Sequence, residues 1–199
     1  MNITLNGILV WAGSLLALGL YWPLVKGILR GEITNQSFAT WILWVALDVI
    51  ALVSLILQNG NYLLLVFYIL GGSIVFLSLL YKKLFKWTWF EAFVLRLVAI
   101  CMFVWYISGP RGATIASTLA VFIAGCPQIK DCWETPDKKT TLIYFGYTLA
   151  NFLNFLGGKA WSIEERFYPG ICTILCLLIA LSSLRRKTVP STRAILQVR

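Results

Sequence analysis

Residues 38–58 read FATWILWVALDVIALVSLILQ, an apolar stretch that is long enough to cross a lipid bilayer as one helix and that contains a single carboxylate, Asp48. A carboxylate near the middle of such a helix is costly, because the hydrocarbon core of a bilayer offers it neither water nor counter-ions. It should therefore point toward the inside of a helix bundle. The stretch predicts a membrane-spanning helix with a polar inner face.

The composition of the chain agrees with a membrane protein. Of its 199 residues, 59% are hydrophobic and 13% are charged, with a mean hydropathy of +0.81, whereas soluble domains carry about 25% charged residues. We expect an all-α integral membrane fold with seven transmembrane helices and no room for a separate soluble domain. The seven apolar runs are 8–29, 38–58, 62–81, 92–108, 113–129, 141–156 and 168–184.

Basic residues gather on one side of the predicted bundle, which sets its orientation because cytoplasmic loops carry an excess of Lys and Arg. The side away from the C terminus holds Arg111, Lys159 and Arg166. The C-terminal side holds Lys26, Arg30, Lys82, Lys83, Lys86, Lys130, Lys138, Lys139, Arg185, Arg186, Lys187, Arg193 and Arg199. We therefore expect a cytoplasmic C terminus and an outside or lumenal N terminus. The net charge of +9 then requires no nucleic-acid partner.

The chain contains an internal repeat. One shift along the sequence aligns residues 23–26, PLVK, with residues 127–130, PQIK, and also aligns residues 77–83 with residues 181–187. Helices 1 to 3 therefore correspond to helices 5 to 7, and helix 4 adds the crossing that gives both copies the same orientation. The predicted organisation is a first three-helix repeat (1–83), a linker helix (84–112), a second repeat (113–187) and a cytoplasmic tail (188–199).

A three-helix unit with Pro-Gln near the cytoplasmic end of its first helix, duplicated as 3+1+3, resembles the PQ-loop superfamily. That superfamily includes the SWEET sugar transporters, amino-acid exporters such as cystinosin, and the KDEL receptors. Pro127-Gln128 carries the motif, and the first copy reads Pro23-Leu24. The resemblance implies a solute carrier in which the two repeats rock about a central site.

Pro23, Pro127 and Gln128 are candidate hinge or gate residues near the cytoplasmic ends of their helices. A proline removes a backbone donor and can kink a helix, and we expect Gln128 to hydrogen-bond across the kink. The alternative interpretation of the two prolines is a simple helix end.

Helices 2 and 6 occupy corresponding places in the two repeats, so they should face each other across the central axis. Each carries aromatic and then polar residues at spacings of three and four, which places them on one helix face. We predict that these residues bind the substrate: Trp41, Trp44, Asp48, Tyr144, Tyr147, Asn151 and Asn154. The WxxWxxxD stripe of helix 2 is similar to a motif of the PnuC vitamin-precursor transporters, which keeps a nucleoside-like molecule among the candidate substrates.

Asp48 is the candidate proton carrier, because the chain contains no His. Low-dielectric surroundings disfavour the charged form of a carboxyl group, so this residue could take up and release a proton during transport or pair with a cationic group of the substrate. The alternative is a purely structural hydrogen bond to Asn151, Asn154 or Tyr147.

The sequence predicts a secondary transporter for a small polar solute such as an amino acid, a sugar or a nucleoside-like molecule. The alternatives are a KDEL-receptor-like sorting protein, which binds a ligand without net transport, and a scaffold without a solute site. No metal, cofactor or disulfide is predicted, and no enzyme, because a zinc-ligand cluster, a phosphate loop and a nucleophile–base pair are missing from the sequence. The expected partners are the solute, the bilayer and protons. The oligomeric state stays open, and the short loops favour a bacterial inner membrane over a lysosomal one.

Overall fold

The computed structural model describes residues 4–84 and 89–184, and within these ranges all regular structure is helical. The predicted tail at 188–199 lies outside the described residues, as do Lys86, Arg185, Arg186 and Lys187. The elements are α1 (Leu5–Leu29), α2 (Phe38–Leu57), α3 (Leu63–Tyr81), α4 (Trp89–Ala124), α5 (Cys126–Glu134), α6 (Lys138–Leu156), a one-turn π-helix (Ile163–Phe167) and α7 (Tyr168–Ser183).

Several helices begin at a polar cap rather than at the first apolar residue. The side chains of Thr4, Ser37 and Asp137 accept hydrogen bonds from backbone N–H groups in the first turns of α1, α2 and α6. As a result α1 and α6 each begin three residues before the predicted apolar run. A hydropathy pattern marks the membrane-facing part of a helix, whereas the cap decides where the helix starts.

The helix α4 joins segments that were predicted as two separate helices. It contains 36 residues and has one non-helical residue, Gly109, with φ of +67° and ψ of −169°, followed directly by Pro110. Positive φ is strained for residues with a side chain and accessible to glycine, so the break falls at the predicted Gly-Pro connection. Beyond α4 the chain remains helical as α5 up to Glu134. The predicted end of the fifth helix at residue 129 is therefore wrong, because Pro127 begins a new helix instead of ending one.

Among the described residues, five helical segments are long and apolar enough to cross a membrane: Leu5–Leu29, Phe38–Leu57, Leu63–Tyr81, Arg96–Glu134 and Ile163–Ser183. The fourth combines most of α4 with α5, and the fifth combines the π-helix with α7. The chain therefore has the properties of a multi-pass membrane protein. The helix α6 is absent from that set although it has 19 residues. Its mean hydropathy is lower because polar residues lie on its buried face.

The two faces of α6 are arranged in the opposite way to those of a helix in a soluble protein. Its buried residues include Tyr144, Tyr147, Asn151 and Asn154. Beyond Lys138 and Lys139 in its first turn, its exposed large residues are apolar, and they are Leu142, Phe145, Leu149, Phe152 and Leu156. A helix with polar groups inside and an apolar outer face suits a lipid surrounding.

The helices pack in two groups that contact each other. In the first group, α3 contacts both α1 and α2, and in the second, α7 contacts α6, α5 and α4. Between the groups, α1 packs on α6 and α2 packs on α4. The helices α1 and α6 are antiparallel. Near the start of α1, Asn6 Nδ2 donates to the carbonyl of Gly158, just after the end of α6, and later in α1 Ser14 Oγ donates to Oδ1 of Asn154, which precedes Gly158 in the chain.

The connections lie at two opposite ends of the bundle. At one end, the Asn61 N–H donates to the Glu164 carbonyl, joining the α2–α3 and α6–α7 connections. At the other, Asn35 Nδ2 donates to the Thr135 carbonyl, joining the α1–α2 and α5–α6 connections. We call the latter the basic end, because the described Lys26, Arg30, Lys82, Lys83, Lys130, Lys138 and Lys139 belong to it, and the former the opposite end.

Close packing of α1 on α6 generates a testable prediction. A Cβ atom at Gly13 would lie 2.5 Å from both the Ala150 carbonyl oxygen and Asn154 Nδ2, whereas Gly19, on the same helix, has open space. We expect Gly13→Ala to lower stability by about 1–3 kcal/mol through overpacking. Thermal unfolding in detergent should show a lower midpoint for that variant and an unchanged or higher one for the control, Gly19→Ala. Equal midpoints would contradict the α1–α6 contact.

Candidate functional site

A cavity lies in the middle of the bundle, between helices of both groups. Its walls come from α1, α2 and α3 on one side and from α4, α6 and α7 on the other. The lining residues are Tyr21, Trp41, Trp44, Val45, Asp48, Tyr68, Gly72, Val121, Tyr144, Tyr147, Tyr168, Cys172, Leu175 and Cys176. The cavity is therefore mostly aromatic and apolar, with Asp48 as its carboxylate.

The cavity is narrow. The space free of protein atoms in and around it is about 480 Å³, a volume that includes open solvent. The centre of a water-sized sphere reaches only about 40 Å³ of that space. This is room for a few water molecules, so a larger ligand requires some movement of the walls.

Five of the seven predicted substrate-binding residues line this cavity: Trp41, Trp44, Asp48, Tyr144 and Tyr147. The helices α2 and α6 thus contribute to the same space, as their shared spacing indicated. Asn151 and Asn154 are fully buried elsewhere. Asn151 Nδ2 donates to Tyr68 Oη at 2.5 Å and Asn154 Oδ1 accepts from Ser14 Oγ at 3.2 Å. These two amides hold helices together at positions away from the cavity wall.

Asp48 is paired with a residue that the sequence did not reveal. Tyr168 Oη donates to Asp48 Oδ1 at 2.6 Å, and both side chains are buried. The hydrogen bond joins α2 to the start of α7. Asp48 therefore does not bond to Asn151, Asn154 or Tyr147, which were the partners considered for a purely structural hydrogen bond. No feature of residues 163–171 marks Tyr168 as special, since its importance comes from a contact between distant segments.

Aromatic rings surround the carboxylate on several helices. Trp41 and Trp44 lie 5.1 Å apart, and Tyr147 lies 5.3 Å from Tyr21 and 5.8 Å from Tyr144, measured between ring centroids. These pairs are edge-to-face, the favourable arrangement for rings. Tyr21, together with Tyr68 of α3, was not predicted, because an aromatic residue in an apolar run is more often part of an interfacial belt.

Glycines make room for these rings. A Cβ atom at Gly71 would overlap the ring of Tyr21, and one at Gly72 would lie 3.0 Å from Val45 and 3.9 Å from Trp41. The pair of glycines on α3 therefore lets the aromatic side chains of α1 and α2 fill the space beside the cavity.

One hydroxyl in the cavity lacks a partner. Among the described buried side chains, Tyr147 Oη is one of the atoms with no hydrogen-bond partner, although only 3% of the residue is exposed. An unpaired buried hydroxyl costs free energy. Tyr147 Oη is therefore available to a bound molecule.

The α1–α2 connection covers the basic-end side of the cavity. We call residues 31–37 the plug. Ile33, Asn35 and Gln36 are buried, and Gly31, with φ of +71°, reverses the chain after α1. Gln36 Oε1 accepts hydrogen bonds from Trp41 Nε1 at 3.1 Å and from Tyr144 Oη at 3.3 Å. The plug is thus bonded directly to two rings of the cavity wall.

Gln128 holds the plug from the other side. Its Oε1 accepts from the Ser37 N–H at 3.0 Å, and its Nε2 donates to the Asn35 carbonyl at 2.6 Å and to Cys132 Sγ at 3.1 Å. We expected Gln128 to bond across a helix kink, and that expectation is wrong. The physical reason is that Pro127 lies in the first turn of α5, so Gln128 faces the plug from a helix that has just begun. The second candidate hinge, Pro23, lies inside the continuous helix α1.

An ion pair fixes the outer edge of the plug. Lys139 Nζ lies 2.6 Å from Glu32 Oε2, and the hydrogen bond from that amino group holds the pKa of the Glu32 carboxyl below its usual range. A carboxyl whose pKa is lower in the folded state stabilises that state above its ordinary pKa, and the contribution is lost as pH falls through the lowered value. This exposed contact at the edge of the plug therefore adds to stability at neutral pH and is lost in acid, and its exposure to solvent keeps the contribution small.

The ion pair can be tested by carboxyl titration followed by NMR. Lys139→Gln should raise the pKa of Glu32 toward the ordinary value of about 4.3. The control Lys138→Gln changes the adjacent lysine, which does not contribute to lowering the pKa of Glu32, and should leave that pKa low. An unchanged Glu32 titration in the first variant would contradict the ion pair.

The bond between Gln128 and the plug can be tested by thiol labelling. Cys132 is fully buried behind Gln128, whereas Cys126 is exposed. In a Cys126→Ser background, Gln128→Leu leaves two backbone groups of the plug unpaired, each costing about 1–3 kcal/mol. A membrane-impermeant maleimide added at the basic end should then label Cys132. The control Lys130→Gln, at an exposed position of the same helix, should stay unlabelled, and absence of labelling in folded Gln128→Leu protein would contradict the role of Gln128.

No protein-family model, curated protein or solved structure matches the chain. The resemblance to the PQ-loop superfamily therefore rests on the residues and helix order of this chain alone.

Proposed function

We propose that the chain is a secondary transporter of the PQ-loop type that moves a small polar solute through its central cavity by alternating access. One observation carries this proposal. A buried carboxylate, Asp48, lies in a cavity lined by both helix groups, and a hydrogen-bonded plug covers that cavity at the basic end. Intramembrane carboxylates are expensive and usually serve ions or substrates.

We infer seven crossings from the path of α4. A straight helix of its 36 residues would be about 54 Å long, against about 30 Å for the hydrocarbon core. Trp89 comes five residues after Leu84, which lies at the basic end, whereas Thr114 lies at the opposite end, where its hydroxyl accepts from Gln58 Nε2. The part of α4 before Gly109 then runs toward the opposite end and the part after it runs back. Together with α6 this makes seven passes.

The helix contacts support a 3+1+3 arrangement. In this arrangement α1 corresponds to the second part of α4 together with α5, α2 corresponds to α6, and α3 corresponds to α7. The third helix of each repeat then contacts the first two helices of the same repeat. The α1–α6 contact then has the α2–α4 contact as its symmetric counterpart. Two parallel repeats related by an axis along the membrane normal produce this pattern.

The basic end is the cytoplasmic side in this proposal, because Lys and Arg accumulate in cytoplasmic loops. The N terminus, before α1, is then outside or lumenal. The membrane we favour is the bacterial inner membrane, with the lysosomal membrane as the alternative. The plug is the cytoplasmic gate, and opening requires that Gln128 and Gln36 release their bonds.

Asp48 is the proposed proton carrier, and Tyr168 positions its carboxylate.

The receptor alternative is less favoured, because the cavity admits a few water molecules and a peptide would need a much wider opening. The conformation described is closed by the plug at the basic end.

The transport proposal is tested with purified protein in proteoliposomes. Labelled amino acids, sugars and nucleosides are offered with and without a pH gradient. Asp48→Asn should abolish proton-driven accumulation, because the amide keeps the shape of the side chain and removes its proton.

A matched control accompanies this experiment. Glu134→Gln removes a carboxylate that is 59% exposed and pairs with Lys130 at the basic end, and it should leave accumulation unchanged. If no solute moves while a peptide ligand binds, the transporter is excluded, and unchanged accumulation in Asp48→Asn removes this residue from the mechanism.

A further inference from the structure

The charge balance of the cavity indicates what it binds. Asp48 is the acid in its wall, and among the described lining residues no Lys or Arg faces it. The partner that Asp48 has, Tyr168, is a neutral donor. An ionised Asp48 therefore lacks a positive counter-charge, and a ligand can supply it.

The hydrogen-bond groups of the cavity are largely engaged. Trp44 Nε1 donates to the Val121 carbonyl, Trp41 Nε1 and Tyr144 Oη donate to Gln36, and Tyr168 Oη donates to Asp48. Tyr147 Oη is left without a partner. A sugar carries many hydroxyl groups, and each would need a partner on burial. The wall instead suits a ligand with one charged group and an apolar body.

Aromatic rings next to a carboxylate form a site for an ammonium group. The electron-rich face of a Trp or Tyr ring attracts cations, and rings arranged as a cage are a recurrent site for substituted ammonium ions. Here Trp41, Trp44, Tyr21 and Tyr147 lie close together beside the carboxylate. The cavity has room for only a few water molecules, and this low water content strengthens the attraction between the carboxylate and a cation.

We propose that the cavity binds a small organic monocation, a substituted ammonium ion whose charge pairs with Asp48 and whose alkyl groups pack against the Trp and Tyr rings. This inference rests on the proposed transporter and names its substrate class. The narrowness of the cavity limits the cation to a few heavy atoms around the nitrogen.

The single carboxylate of the cavity also sets the ratio of cations to protons that are exchanged. It neutralises one positive charge at a time, so it holds either one proton or one monovalent cation. Loss of the proton to one side and binding of the cation from the other leaves the net charge of the site unchanged through the cycle. The transport reaction is then an electroneutral exchange of one organic cation for one proton.

The experiment compares two probes of the same shape, using the purified full-length chain. One is (2-hydroxyethyl)trimethylammonium, and the other is 3,3-dimethylbutan-1-ol, in which a neutral carbon replaces the charged nitrogen. The thermal unfolding midpoint and tryptophan fluorescence report binding without requiring transport. We expect the cation to raise the midpoint and change the fluorescence, and the neutral probe to do neither at equal concentration. Equal effects of the two probes would overturn the cation site.

Variants separate the contributions of the charge and of the rings. Asp48→Asn should abolish the effect of the cation, and Trp44→Leu should weaken binding by roughly 3- to 30-fold, as expected for the loss of one cation–π contact. Matched controls are Glu134→Gln for the charge and Trp22→Leu for the ring, since 73% of Trp22 is exposed on α1. Full cation binding in folded Asp48→Asn protein would overturn the proposal.

Proteoliposome assays distinguish failure of this inference from failure of the transport proposal. Cation binding that depends on Asp48 but is not followed by uptake would leave the cation site standing and remove transport. Uptake of neutral sugars or nucleosides without cation binding would keep transport and overturn the cation site. For the exchange itself, cation uptake should follow an outward-directed proton gradient and stay unchanged when a membrane potential is imposed. Uptake driven by the potential would overturn electroneutral exchange.

Discussion

The hydrogen bond from Tyr168 to Asp48 is the interaction on which the interior of this protein depends. A buried carboxylate without a partner is strongly destabilising, and the hydrocarbon of a bilayer provides none. The bundle therefore has to place Tyr168 of α7 within hydrogen-bond distance of Asp48 on α2. The ring of Tyr68 on α3 lies 6.4 Å from the ring of Tyr168, and both line the same cavity as the acid.

The need of each buried polar group for a hydrogen-bond partner also explains why polar residues lie inside the bundle and apolar residues lie outside. The buried amides of α6 bond to other helices, Asn151 through its Nδ2 to Tyr68 and Asn154 through its Oδ1 to Ser14, although Asn151 Oδ1 has no partner. The plug obeys the same rule through Gln128, whose side chain satisfies backbone groups of residues 35 and 37. In the proposed transporter these are the bonds that must break when the plug opens.

The sequence revealed a large part of the candidate site, for local reasons. Trp41, Trp44 and Asp48 were recognisable because spacings of three and four place side chains on one helix face. Asn151 continues the same stripe on α6, yet it lies beyond the cavity. A helical period indicates the direction of a side chain and not the neighbour it meets. For that reason Tyr21 and Tyr168 could not be distinguished from belt aromatics.

From the sequence alone come the helical class, the membrane-spanning stretches, the inward-facing carboxylate and the clustering of basic residues, because hydrophobicity, helical period and charge are properties of neighbouring residues. The pairing of Asp48 with Tyr168, the plug at residues 31–37 and its attachment to Gln128 were decided by the tertiary structure only. They join segments about 90 to 120 residues apart, and such contacts depend on how whole helices pack, which no local pattern encodes.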